Sequence, residues 1–390
     1  MHLQPQHGAH RADGARCLEQ WNGSWSHVPS TPPPYRRQSP LAARGNPQSL
    51  HIVESPMCHR QRSWKWQWVS NEPRCAVEPP AHGSLCRHLA GKRIILFGDS
   101  LTQQHFVSLA SLAGEASTAT AWKPPGCEQM RHLECLRVCG GREDSTPQPG
   151  LICQRTHFGL ALDTRPIAAP HNCSHAIQPS VVAPVEERFR ATCLRAFDLV
   201  VINQAAHWVG NDGALGLERC LRETGGMEQA AAARAAQRFV TRLYAQQMRR
   251  DAAHLQTLVH RAGRQSARSG GDSAIERPRI YYRTSVPASP TSDILAPDTP
   301  DGSPPIFLRP SRSASWVEAM RRNTSTRFNH HLIPRLNALA RAIYRDAGLR
   351  VMDVELPMSF RVDGHLDPLH YCLPGPPDFW AQLLPFMLDR

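Results

Sequence analysis

Lysine is almost missing from this chain of 390 residues: Lys65, Lys92 and Lys123 are the only three, so the formal charge of +12 rests on arginine. The arginines are scattered along the sequence, with no basic tract and no interleaved aromatic stripe, which argues against a nucleic-acid module. An acidic or sugar-rich partner stays open. No run of about 18 apolar residues exists, so no membrane anchor is legible, and Met1-His-Leu-Gln-Pro-Gln has no apolar signal-peptide core. There is no Cys-x-x-Cys pair, and Cys135-x3-Cys139 has no matching second pair of cysteines, so no structural zinc site or other metal centre is expected. No internal repeat is visible.

What the chain does have is cysteine and proline. Twelve cysteines, mostly isolated, read as disulfides, and three Asn-x-Ser/Thr sequons at Asn22, Asn172 and Asn323 fit the same oxidising secretory compartment. The expectation is a secretory-pathway protein whose targeting segment lies outside this sequence. Thirty-four prolines imply much loop between packed elements, while an apolar fraction of 41% supports an ordinary globular core. The length allows one large domain and a smaller one.

Residues 1–90 are rich in Cys, Pro, Arg and Trp without sustained periodicity and read as a small disulfide-tied module. Trp21, Trp25, Trp64, Trp66 and Trp68 serve there either as a substitute core or as a platform for sugar rings, with core the commoner role. Residues 91–390 read as an α/β domain. Arg93–Phe97 is a short apolar strand that turns at Gly98-Asp99-Ser100 into a helix through Leu112, and Phe197–Ile202 repeats the pattern. A helix spans Glu228–Arg261, a polar break covers Gly263–Asp272, and Arg279–Thr284 is a third strand. A long loop at 285–313 is followed by a helix over Asn329–Ala347, a strand over Leu349–Val354 and a final helix over Phe379–Leu388. Strands alternating with helices predict a three-layer, largely parallel sheet.

A serine where a buried strand turns into a helix stands at the sheet's carboxyl edge, beside backbone N–H groups and the positive helix end. Ser100 is therefore the candidate nucleophile, and such a serine needs a histidine base steered by a carboxylate. The C-terminal segment Asp363-Gly-His365-Leu-Asp367-Pro-Leu-His370 offers two pairs. Asp367 with His370 is favoured, because a proline turn lets the carboxylate curl back to the imidazole; Asp363 with His365 is the alternative. Gly98 and Asp99 of the same turn, with Asn203 and His207 after the second strand, are candidate oxyanion or substrate contacts. A structural cap or a satisfied polar group explains Asn203 and His207 equally well.

Phe97-Gly-Asp-Ser-Leu-Thr-Gln-Gln-His105 together with His370-Tyr-Cys-Leu-Pro-Gly-Pro-Pro-Asp378-Phe-Trp380 resembles the trichome birefringence-like and PC-esterase family of the SGNH (GDSL) superfamily. Asp198–Trp208, Arg279–Pro287 and Cys17-x3-Trp21-x-Gly23-x-Trp25 extend the resemblance over most of the chain, whereas Val209-Gly-Asn211-Asp212 resembles the superfamily's Gly-x-Asn-Asp only superficially. The resemblance implies an SGNH-like fold and a Golgi O-acetyltransferase that acts on polysaccharide. Ser100, Asp367 and His370 take the triad positions, and the Ser100 N–H contributes to the oxyanion hole. It implies no bound cofactor, an activated acetyl donor such as acetyl-CoA, a carbohydrate acceptor and no nucleic-acid partner; a membrane anchor, common in the family, is absent from this sequence. Departures are Pro368-Leu369 where the family has a cysteine, Gln103 where it has arginine, and a short spacer after His365. A carbohydrate esterase with the same triad, and a non-catalytic sugar-binding protein, are the rival expectations.

Overall fold

The computed structural model describes residues 13–34, 63–81, 83–114, 123–128, 130, 133–139, 149–156, 169–176, 191–210, 213–268, 278–286, 329–361, 364–365 and 369–388. The loop expected at 285–313 lies outside them from residue 287 onward, as do Asp363, Asp367, Asn211, Asp212, Asn323 and Cys58.

Strands are numbered in chain order: β1 (Gly23–His27), β2 (Trp66–Ser70), β3 (Arg93–Gly98), β4 (Leu133–Val138), β5 (Gly150–Thr156), β6 (Leu199–Ile202), β7 (Arg279–Arg283) and β8 (Arg350–Met352). The helices that matter are α1 (Asp13–Glu19), α2 (Ser100–Leu112), α3 (Ala214–Glu223), α4 (Gln229–Arg268), α5 (Ile333–Asp346), α6 (Pro376–Gln382) and α7 (Leu384–Leu388). The protein is a mixed α/β structure around a six-stranded sheet of order β4-β5-β3-β6-β7-β8. Every pairing in it is parallel except β4 with β5. The largely parallel sheet expected from the sequence is thus present, with one antiparallel edge where Cys135 and Cys153 face each other and are bonded.

The strands are apolar because both faces of the sheet are covered. Successive residues point to opposite faces, so Ile95, Phe97, Val200, Ile202 and Tyr282 pack with α3, α4 and α5. Ile94, Leu96, Leu199, Val201 and Tyr281 pack with α2, α6 and α7. Strand starts are held in register by Asp198, whose Oδ2 accepts from Arg93 N at 2.7 Å and whose carbonyl accepts from Arg279 N at 2.9 Å.

Several boundaries differ from expectation, among them the helix expected from Asn329, which starts at Ile333 after a short 3-10 turn, and the strands expected over Leu349–Val354 and Phe197–Ile202, which are shorter; two others have a clear physical reason. Helix α4 runs through Gly263 to Arg268, because a single glycine at a helical spacing costs only about 1 kcal/mol and does not stop it. The C-terminal helix starts earlier, at Pro376, where proline suits a first turn, and divides at Leu383 into α6 and α7. Arginine is also less scattered in space than in sequence: α4 carries eight arginines and a single acid, Asp251, which is buried.

In the N-terminal segment, β1 and β2 form a two-stranded antiparallel sheet, and Cys17–Cys75 ties α1 to the turn Pro73–Cys75 that follows β2. Trp25 and Trp68 are core, with Trp21 and Trp66 partly buried against them. Trp21, Trp25 and Trp68 cluster on Phe379 of α6 with ring centroids 5.1–6.0 Å apart, and Trp25 Nε1 donates to the Pro357 carbonyl at 2.8 Å. Trp21 Nε1 donates to the Asp353 carbonyl. Further disulfides join Cys86–Cys139, Cys127–Cys193 and Cys173–Cys220, and Cys372 is also disulfide-bonded. Asn22 and Asn172 are exposed. Among the described residues no helix is long and apolar enough to cross a membrane.

Candidate active site

Strand β3 ends at Gly98 because nothing larger fits there: a Cβ would strike the Thr102 side chain and the Asn203 carbonyl. The chain then turns at Asp99, the N-cap of α2, whose Oδ1 accepts from Leu101 N at 3.0 Å. Ser100 is the first residue of α2, so its N–H has no acceptor within the helix. Its hydroxyl meets His370: Ser100 Oγ and His370 Nε2 are 2.6 Å apart, across 270 residues of sequence. Both side chains are half-buried, in contrast to the buried residues around them.

Of the two histidines, His370 and not His365 reaches the serine in this way. His365 is buried and stacks on Tyr371, ring centroids 4.1 Å apart, in an isolated antiparallel bridge with it. The two candidate carboxylates, Asp363 and Asp367, lie outside the described residues.

Asn203 follows β6 at the same sheet edge, but its amide is committed. Nδ2 donates to the Arg283 carbonyl and to Ser285 Oγ, both at 2.9 Å, which uses both N–H groups and leaves none for an oxyanion. It acts instead as the first member of a buried network along the carboxyl ends of β6, β7 and β8. Asn337 accepts from Ser285 N and donates to the Ser285 carbonyl and to Glu355, while Arg341 pairs with Asp353 and Glu355 at 2.6 and 3.3 Å. Thr284 Oγ1 donates to Asp353 Oδ1 at 3.1 Å. His207 lies half-buried on the single helical turn Ala206–Val209. Tyr244 of α4 fixes the segment in between by donating to the Gln204 carbonyl at 2.8 Å, next to Tyr282 at the same distance. Burial, foremost, raises the pKa of both phenols, so they stay neutral donors.

Several site residues were not read from the sequence. Gln104 Nε2 donates to the Tyr371 carbonyl at 2.5 Å and Gln104 Oε1 accepts from Tyr371 N at 3.2 Å. Ser108 Oγ donates to Asp378 Oδ1 at 2.5 Å, and Asp378 Oδ2 accepts from Gly375 N at 2.9 Å, closing the turn into α6. Arg283, at the end of β7, is wholly buried with its guanidinium 4.2 Å from the Trp380 ring centre. Burial lowers its pKa to about 10, against the opposing pull of Asp99, so it is a cation at neutral pH. Burial, and then the Arg283 charge, hold His105 well below its ordinary value. For Gln104 and His105 the available signal was the polar run Thr102-Gln-Gln-His105 in the first turns of α2. Only the packing of α2 on all sides gives those residues meaning.

Among the described residues no group of three His, Cys, Asp or Glu side chains is arranged to hold a metal ion. A scan against protein-family models finds no match to the chain, and a search of curated proteins finds no significant relative.

Proposed function

We propose that the protein is an O-acetyltransferase that carries an acetyl group on Ser100 and passes it to a carbohydrate hydroxyl. The observation that carries this reading is the 2.6 Å contact between the Ser100 hydroxyl and His370 Nε2 at the carboxyl edge of a parallel sheet, the geometry of a base-activated nucleophile. The resemblance of Gly98-Asp-Ser100 and His370–Trp380 to the PC-esterase segments supports an SGNH-type fold and the choice of a sugar acceptor. The disulfides fit the Golgi lumen as the place of action.

In this reading His370 takes the Ser100 proton as Oγ attacks the acetyl carbonyl of the donor. The tetrahedral oxyanion is met by the Ser100 N–H, and the donor's leaving group departs with the proton from His370. A sugar hydroxyl then attacks the acetyl-serine ester, giving its proton to His370, and collapse of the second tetrahedral intermediate returns that proton to Ser100 Oγ. The resemblance assigns to Asp367 the part of the carboxylate that would steer His370 and stabilise its imidazolium. Asn203 is left out of the oxyanion hole and supports the strand ends instead.

Incubation with a labelled acetyl donor, with and without oligosaccharide, tests the proposal. Labelled sugar that disappears in Ser100→Ala supports it. Release of free acetate at the same rate with and without oligosaccharide, and no labelled sugar, replaces transfer by hydrolysis.

A further inference from the structure

Ser100, Gln104 and Ser108 stand four residues apart on α2, so they line one face with about 6 Å between successive side chains. Each bonds to a different point of the same distant segment: Ser100 to His370, Gln104 to Tyr371 and Ser108 to Asp378. The nucleophile helix thus meets the histidine segment through three registered polar contacts.

The middle contact differs in kind from the outer two. Gln104 is fully buried and addresses backbone, giving a hydrogen to the Tyr371 carbonyl and taking one from the Tyr371 N–H. A carboxamide is the side-chain group that supplies one acceptor and a donor side by side. Glutamate would offer acceptors only, and asparagine is one methylene shorter. The Tyr371 N–H belongs to the peptide that leaves His370, so holding it fixes the His370 backbone and with it the direction of the ring. Ser108 secures the far end through Asp378, which also closes the turn at Gly375.

We propose that Gln104 is the positioning residue that sets His370 against Ser100, with Ser108 as its outer anchor. This rests on the reading of Ser100 and His370 as nucleophile and base. Gln104 touches neither substrate nor reacting atom in this account; it acts through His370.

The test uses the full chain, p-nitrophenyl acetate as ester probe, and crystal structures of the variants. Gln104→Met keeps volume and removes both hydrogen bonds; Gln104→Glu keeps shape and removes the donor. Each is expected to lower kcat about 10²-fold with KM within about twofold, the cost of a misplacement on the order of 1 Å, and Ser108→Ala about tenfold. Gln104→Met crystals should show His370 Nε2 withdrawn beyond hydrogen-bond reach of Ser100. Should Gln104→Glu fail to fold, Gln104→Met alone decides. Wild-type kcat in Gln104→Met, or His370 unmoved in its structure, overturns the inference. An inactive wild-type protein with His370 displaced in Gln104→Met would overturn the proposed function and leave the positioning role standing.

Discussion

Two helices on opposite faces of the sheet, α2 and α4, are both rich in polar side chains and use them in opposite ways. Helix α2 is thirteen residues long, buried nearly all round, and keeps Thr102, Gln103, Gln104, His105 and Ser108 inside. Helix α4 is forty residues long, buries an apolar stripe through Val240, Tyr244, Met248 and Leu255, and turns Arg234, Arg238, Arg242 and Arg249 to water. A polar group taken out of water costs free energy unless it is hydrogen-bonded. Partners such as Tyr371 and Asp378 therefore say what the polar face of α2 is for, whereas the arginines of α4 incur no such cost. The number of charges on an element is a poor guide to function; the number withdrawn from solvent is a better one.

The comparison breaks most visibly at Ser100 and His370. Ser100→Ala or His370→Ala should lower acetyl transfer by at least about 10³-fold, with the thermal midpoint within a few degrees of wild type; comparable activity in either variant would remove α2 from the chemistry. Next in size is the tryptophan cluster behind the same helix layer. Trp25→Ala should cost about 3–5 kcal/mol in denaturant unfolding, because it empties a site between Trp68 and Phe379. A loss below about 1 kcal/mol would return that tryptophan to the surface role.

A smaller effect separates the helices by pH. His105 is held well below 6.5 in the fold, by burial first and by Arg283 second, and regains about 6.5 when unfolded. Above pH 6.5 neither state is protonated there and stability is intact. As pH falls toward the folded value the unfolded chain binds a proton the fold refuses, and stability is lost at up to about 1.4 kcal/mol per pH unit. His105→Gln should flatten that acid loss in urea titrations at pH 5–7; an unchanged slope would assign it to other groups. Smallest of all, Arg234→Gln, Arg238→Gln and Arg242→Gln should each change stability by no more than about 0.5 kcal/mol and leave kcat within about twofold.

The same contrast explains what the sequence disclosed. β3, β6 and β7 were readable because strands covered on both faces become runs such as Ile94-Ile-Leu-Phe97 and Leu199-Val-Val-Ile202. β4 and β5 were not, since Leu133-Glu-Cys-Leu-Arg-Val138 and Gly150-Leu-Ile-Cys-Gln-Arg-Thr156 interrupt the apolar signal with charge, and the Cys135–Cys153 bond that joins them leaves no periodic mark. At the site, the strand–turn–helix pattern pointed to Ser100, and the spacing Asp367-Pro-Leu-His370 pointed, ahead of His365, to His370, the histidine that lies beside the Ser100 hydroxyl. Gln104, Ser108 and Arg283 stayed hidden because a polar residue in a helix or at a strand end says nothing until the element covering it is known. Asn203 was placed on the right edge, yet its partners on β7 and beyond could not be foreseen from a chain position some eighty residues away.

That Ser100 is a nucleophile activated by His370 is tested most directly by a serine-reactive fluorophosphonate followed by peptide mapping. One phosphonyl group should be found on Ser100, forming at least about 10²-fold more slowly in His370→Ala. An adduct on another residue, or the same rate at Ser100 without the His370 imidazole, would contradict it.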